Sequence, residues 1–332
     1  MTKFVKLSKD IVGFGTMRTT WTPHPVTEAE AVKIFYTAYK SGCRLFNGGE
    51  FYGADHLNLK YLQAFIDKYP EIKDEIVISI KGGINMQTFA PDGSEAGIKT
   101  SIENCLKYLN KIDVFECARV DKSVPIEDTL KYINQYIEDG KIGGVSLSEA
   151  GAETIRKAAK AAKISFVEVE YSLWSREILD NGVAEACAEL NIPIVAYSPL
   201  GCGFLAGSIT SAADLPEGDM RKHFDRFTVE ENVTQNNIML DKLKSIATEH
   251  GLSLPQLSLA WIKFHNNPSL EDHDKFPQFI PIPGSLKAAR IKDNSDIKNI
   301  SLPVFNEIQN VLKANKVAGI RYNAAMQGHL FG

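Results

Sequence analysis

Short apolar, β-branched runs alternate along this chain with longer stretches in which apolar residues recur every three or four positions, the spacing of an amphipathic helix. The runs are Ile11–Gly15, Arg44–Phe46, Ile76–Ile80, Ile112–Phe115, Gly144–Leu147, Phe166–Val169, Ile192–Tyr197 and Phe279–Ile282, which makes eight candidate strands. The helical segments between them are Thr27–Ser41, Leu57–Tyr69, Ile98–Leu109, Ile126–Glu138, Glu153–Ala162, Ile178–Leu190 and Met239–Trp261, the last expected in two pieces broken at Pro255. The first opens on a capping box, Thr27 with Glu30, and sets Ala31, Ile34, Phe35 and Ala38 on one stripe. Gly42 and Gly140 follow helical segments directly and read as stops before the next strand.

Strand–helix alternation repeated eight times predicts a (β/α)8 TIM barrel with a parallel inner sheet. The length of 332 residues would also cover two average domains, but no Gly-, Ser- or Pro-rich linker divides the chain. One domain spanning 1–332 is therefore expected. Two irregular stretches stand outside the repeat. Residues 200–235 follow the seventh strand, on the face where barrels carry their chemistry, and read as a lid; residues 266–278 enter the eighth strand and belong to the opposite face.

Composition narrows the function classes. With 44% hydrophobic and 23% charged residues the chain can bury a large core, which removes disordered and fibrous readings. A formal charge of -4 gives no footprint for nucleic acid. The first residues lack the apolar stretch of a secretion signal, and nothing approaches the roughly 18 apolar residues of a membrane span, so the chain reads as cytoplasmic with no membrane or nucleic-acid partner. Five scattered cysteines, without a Cys-x-x-Cys pair, read as buried reduced thiols. The seven histidines form no His-x-His or His-Glu-x-x-His pattern, so no metal site is expected and most are assigned to the surface or loops. Oligomeric state has no signal.

In a barrel the reactive groups sit at the C-terminal ends of strands. Asn47-Gly48-Gly49-Glu50-Phe51-Tyr52-Gly53 follows the second strand, and Lys81 ends the third. A Tyr and a Lys on neighbouring strand ends suit proton donation, because a phenol with a pKa of about 10 is a weak acid until an ammonium stabilises its phenolate. At about 4 Å and an effective dielectric of about 20 that attraction is worth roughly 4 kcal/mol, or about 3 pKa units at most.

With these residues, Ala118-Arg119-Val120-Asp121, the block Tyr197–Leu205, and Pro283–Arg290 with Asn294, nearly the whole chain resembles the aldo-keto reductases. The resemblance implies an NADPH-dependent reduction of an aldehyde, with Tyr52 as proton donor assisted by Lys81 and Asn47. It also implies an N-terminal β-hairpin and an extra C-terminal helix or loop. Within the family, the second-strand block and Ala118–Asp121 are similar to those of the fungal pyridoxal reductases, which implies pyridoxal going to pyridoxine. Trp21 after the first strand, Ala118, and Trp174 after the sixth are the candidates for holding that small-molecule aldehyde.

For NADP(H), the resemblance assigns Tyr197 to the nicotinamide face, Ser146 and Glu168 to its carboxamide, and Ser198, Leu200, Gly203 and Leu205 to the pyrophosphate. Ser285, Lys287 and Arg290, at the start of a helix, suit a 2′-phosphate, and Asn294 the adenine. Two positions depart from the family's Asp, Tyr, Lys and His: Asn47 stands for the Asp and Ala118 for the His. Asn47 can still bond Lys81 but carries no counter-charge, so more of the ammonium's field is expected to reach Tyr52. The altered set keeps two alternatives open: a low-turnover, NADPH-binding regulatory or redox-sensing protein, and a reductase of another aldehyde or ketone. A rival Tyr-x-x-x-Lys motif, Tyr36 to Lys40, lies mid-helix with no Gly-x-Gly-x-x-Gly after the first strand.

Overall fold

Eight strands lie side by side in sequence order, each parallel to the next, with helices outside them. They are β1 (Val12–Gly15), β2 (Cys43–Gly49), β3 (Val77–Gly82), β4 (Val114–Cys117), β5 (Val145–Ser148), β6 (Ile164–Glu170), β7 (Ile194–Tyr197) and β8 (Phe279–Pro281). The computed structural model describes Leu7 and residues 11–207, 209–268, 270, 273–322 and 327–332. The expected N-terminal hairpin falls on residues that, Leu7 apart, lie outside these.

The helices are α1 (Glu28–Lys40), α2 (Leu57–Lys68), α3 (Glu95–Tyr108), α4 (Ile126–Glu138), α5 (Ala152–Ala161), α6 (Val183–Glu189), α7 (Asp225–Thr228), α8 (Glu230–Glu249), α9 (Leu254–Phe264), α10 (Ala288–Ser295) and α11 (Leu302–Ala314). The Thr27–Glu30 capping box forms as expected. The last long helical segment divides differently: the break is at 250–253, and Pro255 sits in the first turn of α9, where its missing N–H costs nothing, behind a Ser253–Gln256 capping box. Tyr36 of the rival motif stacks on Tyr69 on the outer layer, its ring 3.9 Å away.

Each strand alternates between two environments. Outward residues such as Phe46, Ile80, Phe115, Leu147, Val167 and Ile194 join the core shared with the helices. Inward, Leu45, Val114, Phe166, Val195, Ile280 and Ile282 form an apolar plug above Leu7. One step further along the same strands the inward residues turn polar: Asn47, Lys81, Glu116, Ser146 and Glu168, all buried. The apolar plug closes the barrel's floor and the polar layer opens towards the C-terminal face. β1 and β8 meet where side chains are absent; a Cβ on Gly13 would stand 2.3 Å from Ile282 Cγ2, and one on Gly284 2.5 Å from the Gly15 carbonyl oxygen.

Residues 200–235 do lie after a strand end, but Glu230–Gln235 already belong to α8, and four short helical turns, Gly201–Ala206, Ala212–Asp214, Met220–His223 and α7, occupy much of the described remainder. Asn266, in the stretch before β8, clamps that strand by donating to the Phe279 carbonyl and accepting from its N–H, at 3.0 and 2.8 Å. The expected C-terminal extension is α11 and a segment that returns to the barrel: Gly332 N donates to the Glu149 carbonyl at 3.1 Å and Gly151 N to the Gly332 carbonyl at 2.9 Å.

Candidate active site

Tyr52 reaches the mouth through a tight turn. Its N–H donates to the Gly49 carbonyl at 3.2 Å, and the ring folds back over Gly49, where a Cβ would stand 3.0 Å from it. The ring is buried, and Lys81 Nζ lies 5.9 Å from its centre. Adjacent strand ends therefore bring Tyr52 and Lys81 together as the sequence implied.

What lies beneath Lys81 differs from expectation. Its ammonium donates to Asn47 Oδ1 at 2.9 Å and to Glu168 Oε1 at 2.5 Å, and it pairs with Glu116 Oε1 at 3.3 Å. Asn47 Nδ2 in turn donates to Glu168 Oε2 at 2.6 Å and to Glu116 Oε2 at 3.2 Å, and Ser79 Oγ donates to Glu116 Oε2 at 3.2 Å. The expectation that an uncharged Asn47 leaves more of the ammonium's field for Tyr52 is thus overturned: the carboxylate missing from Asn47 on β2 is present on β6 as Glu168, and β4 adds Glu116. Glu168, assigned to the carboxamide by resemblance, has both oxygens engaged by Lys81 and Asn47.

The electrostatic result is also different. Burial, opposed by Lys81 and reinforced by Glu168 and Glu116, holds the Tyr52 phenol above its ordinary value. Burial pulls Lys81 down, but Glu116 and Glu168 outweigh it and keep the ammonium protonated beyond the usual lysine range. Burial, then Glu168, push Glu116 up to about 8. Sequence reasoning missed Glu116, although an acid inside the run Val114-Phe115-Glu116-Cys117 was the signal for it.

Trp21 is 41% exposed and packs against Tyr52, with ring centres 5.4 Å apart, against Phe51 edge-on at 5.6 Å, and against Phe89 at 6.5 Å. An aromatic wall thus borders the phenol. Ala118 is buried at the end of β4. Trp174 does not join this wall; it is buried, stacked on Phe204 at 4.2 Å and edge-on to Phe227, with the Arg226 guanidinium over its ring.

Tyr197, at the end of β7, donates to Glu149 Oε1 at 2.8 Å and accepts from Arg321 Nη2 at 3.0 Å, while Arg321 also pairs with Glu149 and Glu170. The returning C-terminal segment is thereby tied to the ends of β5, β6 and β7. Ser146 Oγ is buried with no hydrogen-bond partner among the described residues. After β7 the backbone takes left-handed conformations at Ser198, Gly201, Cys202 and Gly203, with Leu200 and Leu205 inside this tight loop. Ser285 Oγ accepts from Lys287 N at 3.2 Å ahead of α10; Lys287 and Arg290 are exposed and Asn294 is buried.

Two further guanidiniums gather near Arg290 that the sequence did not single out. Burial and the proximity of Arg221 and Arg290 depress Arg18. Arg221, in the stretch after β7, donates to the Cys202 carbonyl at 2.7 Å and pairs with Asp219. Cations from the loop after β1, from the stretch after β7 and from α10 therefore converge around the single carboxylate of Asp219, which pairs with Arg221 and leaves an excess of positive charge suited to an anion.

All five cysteines are free, four of them buried, and burial raises Cys43 and Cys202 to about 11 and Cys117 and Cys187 to about 12. Among the described residues no helix is long and apolar enough to cross a membrane.

The family model described as "Aldo/keto reductase family" matches residues 11–313. A Schizosaccharomyces pombe protein named "Probable pyridoxal reductase 2" is 35% identical over 331 residues, covering 96% of each chain. A Saccharomyces cerevisiae protein whose name gives the pyridoxal reductase activity provisionally is also 35% identical, over 94% of this chain and 96% of its own. Among solved structures, a glycerol dehydrogenase from Gluconobacter oxydans superposes with a TM-score of 0.79 at 18% identity, covering 95% of this chain and 94% of that one. The last likeness concerns the fold alone.

Proposed function

The chain belongs to the aldo/keto reductase family and is an oxidoreductase, and from that premise we propose that it reduces an aldehyde with NADPH, the substrate being pyridoxal and the product pyridoxine. The observation that carries this reading is Tyr52 standing over Lys81, whose ammonium is held by two hydrogen bonds, at the C-terminal face beside an aromatic wall. NADPH, when bound, supplies the hydride to the carbonyl carbon.

The residues present suit that cofactor. The partnerless Ser146 hydroxyl matches a carboxamide, Tyr197 offers an aromatic ring at a strand end, and the loop through Ser198, Leu200, Gly203 and Leu205 is a tight turn at the C-terminal face, held by its own backbone hydrogen bonds, beside which a pyrophosphate would lie. Ser285, Lys287 and Arg290 with Arg18 and Arg221 supply hydroxyl and cationic partners for phosphates, and buried Asn294 a polar one for a base.

Tyr52 donates its proton to the carbonyl oxygen as negative charge develops there, and Lys81 stabilises the phenolate left behind. Asn47 and Glu168 hold the ammonium under the phenol. The flat ring of pyridoxal suits the wall of Trp21, Phe51 and Phe89, and the short side chain of Ala118 leaves room beside it. Two relatives with pyridoxal reductase in their names support the substrate.

Steady NADPH oxidation with pyridoxal, monitored against a panel of other aldehydes, tests the proposal. Tyr52→Phe should lower kcat by roughly 10²–10⁴-fold. Turnover undiminished in that variant would remove Tyr52 as the acid, and cofactor binding without turnover of any aldehyde would favour the regulatory alternative.

A further inference from the structure

Glu116 has no part in the reading above, yet it lies within the same buried cluster. Its Oε2 accepts from Ser79 and Asn47, while Oε1 lies 3.3 Å from Lys81 Nζ without forming a hydrogen bond. Glu116 and Glu168 share the same two partners, the Lys81 ammonium and the Asn47 amide. Around Glu116 the facing groups are Asn47 of β2 and Tyr52 beyond it, Ser79 and Lys81 of β3, Ser146 of β5 and Glu168 of β6, with Cys117 next to it on β4. Lys81 is the only cation among them. Two ionised carboxylates against one ammonium would leave a net negative charge in a site that is almost fully buried, which the desolvation cost of an uncompensated anion opposes.

We propose that Glu116 is a positioning residue: it and Glu168 hold one proton between them beneath Lys81, so that the cluster is neutral when Tyr52 acts as an acid. The inference rests on the reading of Tyr52 as proton donor. The unpartnered Glu116 Oε1 is the place for the shared hydrogen, because Oε2 is already occupied by two donors. When the pair loses that proton to solvent, a second carboxylate charge faces Tyr52 across Lys81. The phenol then becomes a weaker acid, and reduction slows. The elevated value of Glu116, about 8, agrees with a loss on the alkaline side of neutrality.

Infrared difference spectra of the full chain, without cofactor or substrate, test the shared proton directly. A carboxylic-acid carbonyl band should be present at neutral pH, disappear as the solution is made alkaline, and be absent from Glu116→Gln. In Glu168→Gln the same band should be missing at neutral pH, because Glu116 becomes the sole counter-charge of Lys81 and ionises. For any aldehyde that is turned over, the alkaline fall in kcat/KM should move upward by about one pH unit or more in Glu116→Gln. A band that survives Glu116→Gln, or an alkaline limb unmoved by it, would overturn the proposal. Should Glu116→Gln fail to fold, a wild-type chain with no titrating acid band, or Glu168→Gln keeping its band at neutral pH, overturns it equally. The spectra require no turnover, so failure to reduce pyridoxal leaves this result intact and counts only against the substrate.

Discussion

Lys81 is bound by an amide on one side and a carboxylate on the other, and which of the two carries the charge determines how much field reaches Tyr52. Asn47→Asp adds a third carboxyl group around one ammonium and should reduce kcat for aldehyde reduction by about tenfold, one pKa unit of Tyr52 acidity. Exchanging Glu168→Gln in the same chain returns the charge to its original count, so the double variant should recover most of that loss; additive losses in a double-mutant cycle would show that the two do not share Lys81. Tyr52, Lys81 and Asn47 were legible in the sequence because their blocks sit at strand ends. The role of Glu168 beneath Lys81, and Glu116 altogether, were not, since that depends on strands 121 and 69 residues from Asn47 turning their acids inward to the same point.

At the scale of elements, the strand–helix rhythm fixes the barrel, and all eight expected strands form within a few residues of their expected positions. The errors lie where packing overrides local signals. Pro255 starts a helix instead of dividing one, and the irregular stretch after β7 is shorter because α8 begins at Glu230. The convergence of Arg18, Arg221 and Arg290 was likewise invisible, because three separate elements supply one guanidinium each. It bears on cofactor choice. Arg290→Ala should raise the Kd for NADPH much more than that for NADH, by about tenfold or more for one lost charge-assisted contact to a phosphate, measured by fluorescence titration. Equal losses for both dinucleotides would contradict a 2′-phosphate partner at that position.

Across the whole molecule, a formal charge of -4 coexists with a polar barrel interior whose ion pairs are screened from salt, so titration of buried groups governs how pH affects the fold. His265 departs from the expected surface placement: it is buried, with Nδ1 near the Trp261 carbonyl at 3.0 Å and Nε2 3.3 Å from the Tyr171 hydroxyl, which suits a neutral ring donating at one nitrogen and accepting at the other. Burial lowers it from 6.5 to about 4. The unfolded chain therefore binds the proton first as pH falls. Stability present above about 6.5 should decline towards pH 4 by up to about 3 kcal/mol from this group, and His265→Gln should flatten that decline in urea denaturation. Of the three tryptophans, Trp174 and Trp261 are buried and Trp21 alone stands 41% exposed beside the phenol. Reduced nicotinamide absorbs where indole emits, so a dinucleotide seated near Tyr52 would draw light from Trp21 beside the phenol and from Trp174 packed against Gly201; the molecule carries its own optical gauge of occupancy, one that Trp21→Phe should weaken.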